Sequence, residues 1–342
     1  MKSKSILITG GTGTFGKAFV DHCIQEKLYE RVVIFSRDEY KQHNLKSKLN
    51  FEYGESFVEK TFRFFIGDVR DRERLQKALR GVDDVIHAAA LKHVSFCEYN
   101  PDEALKTNVI GTHNVCDAAI EEGVKKVIFL STDKAVEPIN FYGSTKMLAE
   151  KYSVYSNNHS KNIEGSIKKR TTISCVRYGN IVGSRGSIVE VFSNMKDKDH
   201  FTITDMEMTR FWMDISDCVK MVAWSLKNTI GGEIVIPKIS ASKVSDIACA
   251  MDREKAIKIT GVRPGEKIHE QLLNRRESER TYDVDDYYIV LPEKIDWDNS
   301  IEKHYKSFEK INRVRYFSND NDLQMSLNEI KSIIINKEKN ND

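Results

Sequence analysis

The stretch Thr9-Gly10-Gly11-Thr12-Gly13-Thr14-Phe15-Gly16 constrains this chain more than any other. It follows a short apolar run, Ser5 to Thr9, and it precedes apolar residues at helical spacing, Phe15, Ala18, Phe19 and Cys23. The glycines fall in the pattern G-x-x-G-x-x-G. Residues without a Cβ let the backbone turn tightly, approach a bound group and bring a helix against a strand. The helix start beyond them carries unpaired N–H groups and the positive end of a dipole, which suits a pyrophosphate. This spacing between a strand and a helix marks a dinucleotide-binding unit. The contacts are assigned to Gly10, Thr12, Gly13, Thr14, Phe15 and Gly16.

Further strands are expected at Arg31 to Phe35, Phe62 to Ile66, Asp84 to His87, Lys126 to Leu130 and Thr171 to Arg177. Helical patterns alternate with them. One has Asn100 as its cap, Pro101, Asp102 and Glu103 in its first turn and Gly123 at its end; another spans Phe141 to Tyr155. The alternation predicts an α/β fold, a Rossmann-type doubly wound parallel sheet. Val127-Ile128-Phe129-Leu130 is apolar without alternation, as in a sheet covered on both faces. After Arg177 the order becomes irregular, with a helix over Asp214 to Lys227, a strand over Glu233 to Ile236 and a helix opening at Pro264 to Lys267. The expected organisation is a nucleotide-binding domain over 1–178, with 208–238 returning to it. A smaller C-terminal α/β substrate-binding domain takes 179–207 and 239–335, and a polar, flexible tail takes 336–342. The polar stretch Lys41 to Lys60 has weak periodicity and is expected to be a surface connection.

The 342 residues, 40% hydrophobic, are enough for a sizeable core. A net charge of +2 gives no reason to expect nucleic acid or a membrane surface as partner. The six cysteines form no C-x-x-C pair, and no H-E-x-x-H is present, so free thiols in a reducing cytoplasm and no metal are expected. No signal peptide or long apolar span is expected.

The end of the second strand selects the dinucleotide. An acid there would bind a ribose 2′-OH, but the order is Phe35-Ser36-Arg37-Asp38. Ser36 and Arg37 suit a 2′-phosphate, because a guanidinium forks onto phosphate oxygens. That favours NADP, while Asp38, one residue later, keeps NAD open. Asp68 and Val69, after the third strand, are placed to meet the adenine; Asp68 could equally cap the next helix. Ala88, Ala89 and Lys92 follow the fourth strand on the same side. His87 is expected to pack in the core.

Chemistry in a doubly wound sheet gathers at the carboxyl ends of strands. The fifth strand ends in Ser131-Thr132-Asp133-Lys134, and Tyr142 and Lys146 follow four residues apart, on one helix face. A lysine beside a phenol would favour phenolate, so Tyr142 is the candidate base for oxidation and Lys146 reaches the nicotinamide ribose. Taken alone, Asp133-Lys134 reads first as a solvated strand-end turn, the commonest fate of such a dipeptide.

At these residues the chain resembles the extended short-chain dehydrogenase/reductases that act on nucleotide sugars. It resembles most the inverting UDP-N-acetylglucosamine 4,6-dehydratases of pseudaminic acid synthesis. The segments that carry the likeness are Phe35-Ser36-Arg37-Asp38-Glu39, Phe65 to Asp71, His87 to Val94, Ser131 to Ala135, Arg177-Tyr178-Gly179-Asn180, Gly183-Ser184-Arg185-Gly186-Ser187, Met208 to Trp212 and Arg263-Pro264-Gly265-Glu266-Lys267. The likeness covers nearly the whole chain, departing in the longer 41–60 connection and after Ile268. It implies C4 oxidation, loss of water across C5 and C6, hydride return to C6 and C5 reprotonation on the opposite face. It implies that Tyr142 serves the oxidation, Asp133 protonates the leaving hydroxyl and Lys134 is the C5 base, with Thr132 beside them. Retaining relatives carry Glu where Lys134 stands. The C5 proton donor stays unassigned, with Tyr142 a candidate. Substrate contacts implied are Lys92, Thr132, Asn180, Thr209, Arg210, Arg263 and Glu266. The cofactor is expected to be tightly held and recycled, and the protein to be a homo-oligomer. A UDP-sugar 4-epimerase would use Tyr142, Lys146 and a hydroxyl residue and leave Asp133-Lys134 idle; a non-catalytic NADP sensor would need neither pair.

Overall fold

Strand β1 (Ser5–Thr9) is buried along its whole length, the state of a central strand in a sheet covered on both faces. In the structure, a computed structural model that describes residues 4–160, 170–184, 186–195, 197–298 and 300–341 with side chains as far as Ile334, β1 lies between two parallel partners. These are β2 (Arg31–Ser36), with β3 (Phe62–Ile66) outside it, and β4 (Asp84–His87). Beyond β4 come β5 (Lys126–Leu130) and β6 (Thr172–Val176), also parallel. The chain reverses its direction of winding between β1 and β4. The carboxyl ends of these two strands therefore frame a crevice, the usual ligand site of such sheets. The expected Rossmann-type parallel sheet is present.

Alternation along β1 builds two cores. Ile6 and Ile8 point to one face with Phe19, Ile34, Ile86 and Ile128. Leu7 points to the other with Val33, Leu79, Val85, Val115 and Val127. The helices that cover these faces are α1 (Thr14–Gln25), α2 (Glu39–Tyr53), α3 (Glu55–Thr61), α4 (Arg72–Leu79), α5 (Val94–Tyr99), α6 (Pro101–Ala104), α7 (Gly111–Glu122) and α8 (Phe141–Tyr155).

The later chain feeds both this sheet and a smaller unit. Strands β7 (Asn180–Ile181), β8 (His200–Ile203) and β9 (Thr209–Met213) lie outside the main sheet, with helix α9 (Ile188–Ser193) between the first two. Helix α10 (Ile215–Asn228) then leads to β10 (Ile234–Pro237), which joins β6 in parallel. Three antiparallel strands, Tyr287–Val290, Thr281–Val284 and Glu309–Lys310, extend the sheet to ten strands. A separate apolar cluster holds Val182, Phe192, Phe201, Trp212, Ile247 and Ile330 together. The last helix, Leu327–Asn341, continues through most of the stretch expected to be a tail. Among the described residues no helix is long and apolar enough to cross a membrane, and all six cysteines are free.

Three local expectations are corrected. Lys41 to Lys60 is not a surface connection but α2 and α3, which bury Gln42, Leu45, Leu49 and Val58. One thin apolar stripe among many charges suffices, because Asp38 caps α2 by accepting from Lys41 N at 3.0 Å. Pro264 to Lys267 opens no helix; the strand Gln271–Leu273 follows it. Asn100 does not cap the helix after it, since its amide donates back to Phe96 O at 3.1 Å. That helix is also broken, with a π-helical turn over Leu105–Ile110 between α6 and α7, a feature that often marks functional sites.

Candidate active site

The glycine turn leaves β1 with Gly10 N donating to Phe35 O at 2.8 Å. Gly10 has a φ of 66°, and a Cβ there would lie 3.0 Å from Ala89 N. A Cβ on Gly16 would lie 2.5 Å from Gly11 Cα, so α1 packs on the turn only because both residues lack side chains. Helix α1 has Gly13 at its N-cap position, with no side-chain cap and no acid in its first turn. Thr14 is exposed there, while Thr12 and Phe15 are buried beneath. The N–H groups at this helix start thus have no side-chain acceptor, which fits the residues to a pyrophosphate.

The β1–β4 crevice is braced by a network the sequence did not announce. Thr9 Oγ1 accepts from Ala88 N at 3.1 Å and Ala89 N at 3.2 Å and lies 2.7 Å from His87 Nδ1. His87 Nε2 lies 3.0 Å from Thr112 Oγ1, whose proton goes to Asn108 O at 2.6 Å. Full burial drives the His87 pKa down to about 3, so this histidine is a neutral core brace, as expected. Asn108, on the π turn, holds the loop after β4 through Leu91 N and O, and holds α8 through Thr145 Oγ1. Lys92 stands exposed on that loop.

At the end of β2, Ser36 is buried and accepts from Gln42 Nε2 at 3.0 Å, while Arg37 is exposed. Asp38 faces its own helix: its carboxylate takes Lys41 N and pairs with Lys41 Nζ at 2.6 Å. Asp68 caps nothing; Asp71 caps α4 instead, accepting from Arg74 N at 2.9 Å. Partial burial pushes the Asp68 carboxyl up, but hydrogen bonds from Arg70 and the charge of Arg37 at 3.7 Å hold it below the usual range. Val69 is buried behind it.

The candidate acid–base residues Asp133 and Lys134 lie at the end of β5. Asp133 is 0% exposed, and its Oδ1 accepts from Thr132 Oγ1 at 2.9 Å and Lys134 Nζ at 3.1 Å. Lys134 Nζ also meets Glu270 Oε1 at 3.2 Å. Glu270, 2% exposed, comes from the segment just before strand Gln271–Leu273. It also faces Arg210 Nε at 3.8 Å. Asp133 Oδ2 and Glu270 Oε2 have no hydrogen-bond partner among the described residues. Burial raises the Asp133 pKa, with Lys134 opposing and Glu270 adding to the rise. Burial alone would lower Lys134, but the charges of Asp133 and Glu270 carry it well above an ordinary lysine. Burial would raise Glu270, but Lys134, Arg210 and Lys267 hold it ionised. The pair is therefore a buried ion cluster, not a solvated turn. Glu270 was missed by sequence reasoning; its one signal is an acid separated only by Gln271 from the apolar pair Leu272-Leu273.

Tyr142 and Lys146 share the buried face of α8, but the expected coupling between them is corrected. Lys146 Nζ donates to Leu130 O at 2.6 Å and lies 4.1 Å from the Phe129 ring centroid. Burial takes its pKa down to about 7. Burial also lifts Tyr142 to about 12, and what favours its phenolate is the Lys134 charge and a hydrogen bond with Thr132. Asn140, also missed, caps α8 through Gly143 N at 2.7 Å and ties it to Gly265 O at 2.8 Å. Arg177, fully buried beneath, joins α8 through Glu150 at 3.1 Å to Glu277 at 2.9 Å.

The expected substrate contacts divide. Thr209 and Arg210 adjoin the cluster but are already engaged. Thr209 Oγ1 meets His269 Nδ1 at 2.9 Å and Ser318 Oγ at 2.7 Å, and Arg210 Nη1 donates to Thr209 O and Ile268 O. Arg263 is exposed and pairs loosely with Glu266 at 3.7 Å. Asn180 is half-buried on β7. Arg185 lies outside the described residues.

A sheet wound this way, with an uncapped helix at its switch point and a Tyr/Lys pair beyond β5, defines a nucleotide-binding enzyme of the extended short-chain dehydrogenase/reductase type. A family model described as polysaccharide biosynthesis protein matches residues 6–292. The UDP-N-acetylglucosamine 4,6-dehydratase (inverting) of Campylobacter jejuni is 44% identical over 97% of this chain and 97% of its own. A Rickettsia rickettsii protein named UDP-glucose 4-epimerase is 36% identical over 97% and 95%. The crystal structure of Pen from Bacillus thuringiensis superposes with a TM-score of 0.85 at 35% identity, covering 98% of both chains. The chain belongs to the polysaccharide biosynthesis protein family, among the inverting UDP-N-acetylglucosamine 4,6-dehydratases.

Proposed function

We propose that the protein converts UDP-N-acetylglucosamine to the C5-inverted 4-keto-6-deoxy sugar nucleotide and recycles NADP in each turnover. The observation that carries this reading is the buried Asp133–Lys134 pair, 3.1 Å apart and next to Tyr142, in a chain 44% identical to a relative of that name. NADP is favoured because Asp38 is committed to capping α2 while Arg37 is exposed at the ribose end. Gly10 to Gly16 would hold the pyrophosphate, with Ser36 and Arg37 at the 2′-phosphate, Asp68 and Val69 at the adenine, and Lys146 at the nicotinamide ribose. When bound, the nicotinamide accepts hydride from C4 and returns it to C6.

The protein's own residues then move protons. Tyr142 as phenolate takes the O4 proton, oriented by Thr132. The Lys134 ammonium passes one proton to Asp133 across their contact, leaving an amine beside a carboxylic acid; such a pair titrates as a unit. Lys134 removes the C5 proton while Asp133 protonates the C6 hydroxyl, which leaves as water. That restores the ammonium and the carboxylate. Tyr142, holding the O4 proton, gives it to C5 from the opposite face and returns to phenolate.

The test is incubation with UDP-N-acetylglucosamine and a trace of NADP, followed by NMR of the sugar. The expected product is the 4-keto-6-deoxy sugar with inverted C5. A second reading, C4 epimerisation, is favoured by the 36%-identical relative of that name and needs only Tyr142 and Lys146. A C4 epimer retaining its C6 hydroxyl would establish it. Unchanged sugar with bound NADP would overturn both readings in favour of a sensor.

A further inference from the structure

Lys134 is held between two carboxylates, and only one has a part in the chemistry above. We infer that Glu270 is a positioning residue of the elimination centre, a fixed buried carboxylate that holds the Lys134 amine against Asp133 and keeps the shared proton on that pair.

The geometry supports each part. Glu270 reaches the site from 136 residues further along the chain, fixed by its own N–H donating to Ser318 Oγ at 2.9 Å. Its Oε1 stands 3.2 Å from Lys134 Nζ, which also meets Asp133 Oδ1 at 3.1 Å. An ammonium caught between two oxygens has few rotamers left. The charged groups facing this cluster are Arg210 from β9, Lys267 from the same loop and Tyr142 from α8. Arg210 and Lys267 keep Glu270 ionised, while Lys267 sends its own Nζ to Val136 O at 2.6 Å. A negative charge that stays ionised raises the proton affinity of both neighbours. The one-proton state of the Asp133/Lys134 pair, the state that can divide into acid and base, then persists to higher pH. When Lys134 takes the C5 proton, the same carboxylate stabilises the ammonium that forms.

This inference rests on the acid–base roles assigned to Asp133 and Lys134. Its test is the pH profile of kcat for Glu270→Gln, which keeps the shape and removes the charge. Loss of the shared proton sets the alkaline limb, so removing the charge moves that limb to lower pH by about one unit or more. The variant's kcat falls at least about tenfold, with KM for UDP-N-acetylglucosamine changed less than about twofold. Glu270→Asp, which keeps a shorter carboxylate, gives a limb between those two, and it carries the test if Glu270→Gln does not fold. Profiles that superimpose on the parent in the folded variants overturn the inference. Exchange of the C5 proton with deuterated solvent separates it from the reading beneath. Lys134→Met that still exchanges sinks the role of Lys134 itself. Loss of exchange in Lys134→Met beside an unshifted Glu270→Gln profile sinks only the role of Glu270.

Discussion

The glycine turn and the elimination centre solve opposite problems with opposite materials. The turn presents backbone: what it offers a ligand is the N–H groups at the start of α1, with no side-chain cap among them. The elimination centre presents side chains: two carboxylates almost without solvent contact, each within about one hydrogen bond of Lys134. A backbone site needs the absence of atoms, so it is encoded by consecutive residues. A buried charge cluster needs compensation from several directions, so its members come from distant parts of the chain. A resident cofactor suits the first design and a reusable shared proton the second.

The largest expected effect falls on the charge cluster. Asp133→Asn would remove the proposed proton donor for the leaving hydroxyl, and dehydration measured by product NMR should fall about a thousandfold, with bound cofactor retained. If that variant also loses its cofactor, the two regions are not separable as drawn. Gly16→Ala is the reciprocal case. The new methyl would stand 2.5 Å from Gly11 Cα, so the turn must open. Stability should fall by about 1–3 kcal/mol, read from chemical denaturation, and the cofactor should be lost on purification.

How much of each region could be read from the sequence follows the same division. The turn was legible because Gly10, Gly13 and Gly16 sit next to the strand and helix they serve. Asp133, Lys134, Tyr142 and Lys146 were legible as residues, since all lie at or just beyond the end of β5. Their electrostatics were not. The lysine that favours a Tyr142 phenolate is Lys134, not Lys146, because Lys146 turns to Leu130 O. Glu270 and Asn108 could not be found locally, as each acts across the fold on a segment far from its own. The helices over 39–61 were hidden because Leu45, Leu49 and Val58 are too few, among lysines and glutamates, to raise a helical period.

Two smaller effects sharpen the contrast. Arg37→Ala should weaken NADP binding relative to NAD by about tenfold, read by titration of each dinucleotide. Equal losses for both would leave the 2′-phosphate contact elsewhere. Lys146 is buried, and its burial has a pH signature. Its folded pKa of about 7 lies below the unfolded 10.5, so the unfolded chain binds more protons between those values and stability rises with pH there. Lys146→Met removes that slope. The Tm of the parent should therefore gain on that of the variant as pH climbs from 7 toward 10.5, and parallel curves would place the ammonium in solvent.

The central claim is that Asp133 and Lys134 make this Rossmann chain eliminate water with inversion at C5. The most direct measurement is the reaction of UDP-N-acetylglucosamine in deuterated water, followed by NMR. The account predicts a 4-keto-6-deoxy sugar with deuterium at C5, inverted C5 configuration and the C6 methyl bearing the hydrogen taken from C4. A product that keeps its C6 hydroxyl, or one that keeps the original C5 configuration, would contradict it.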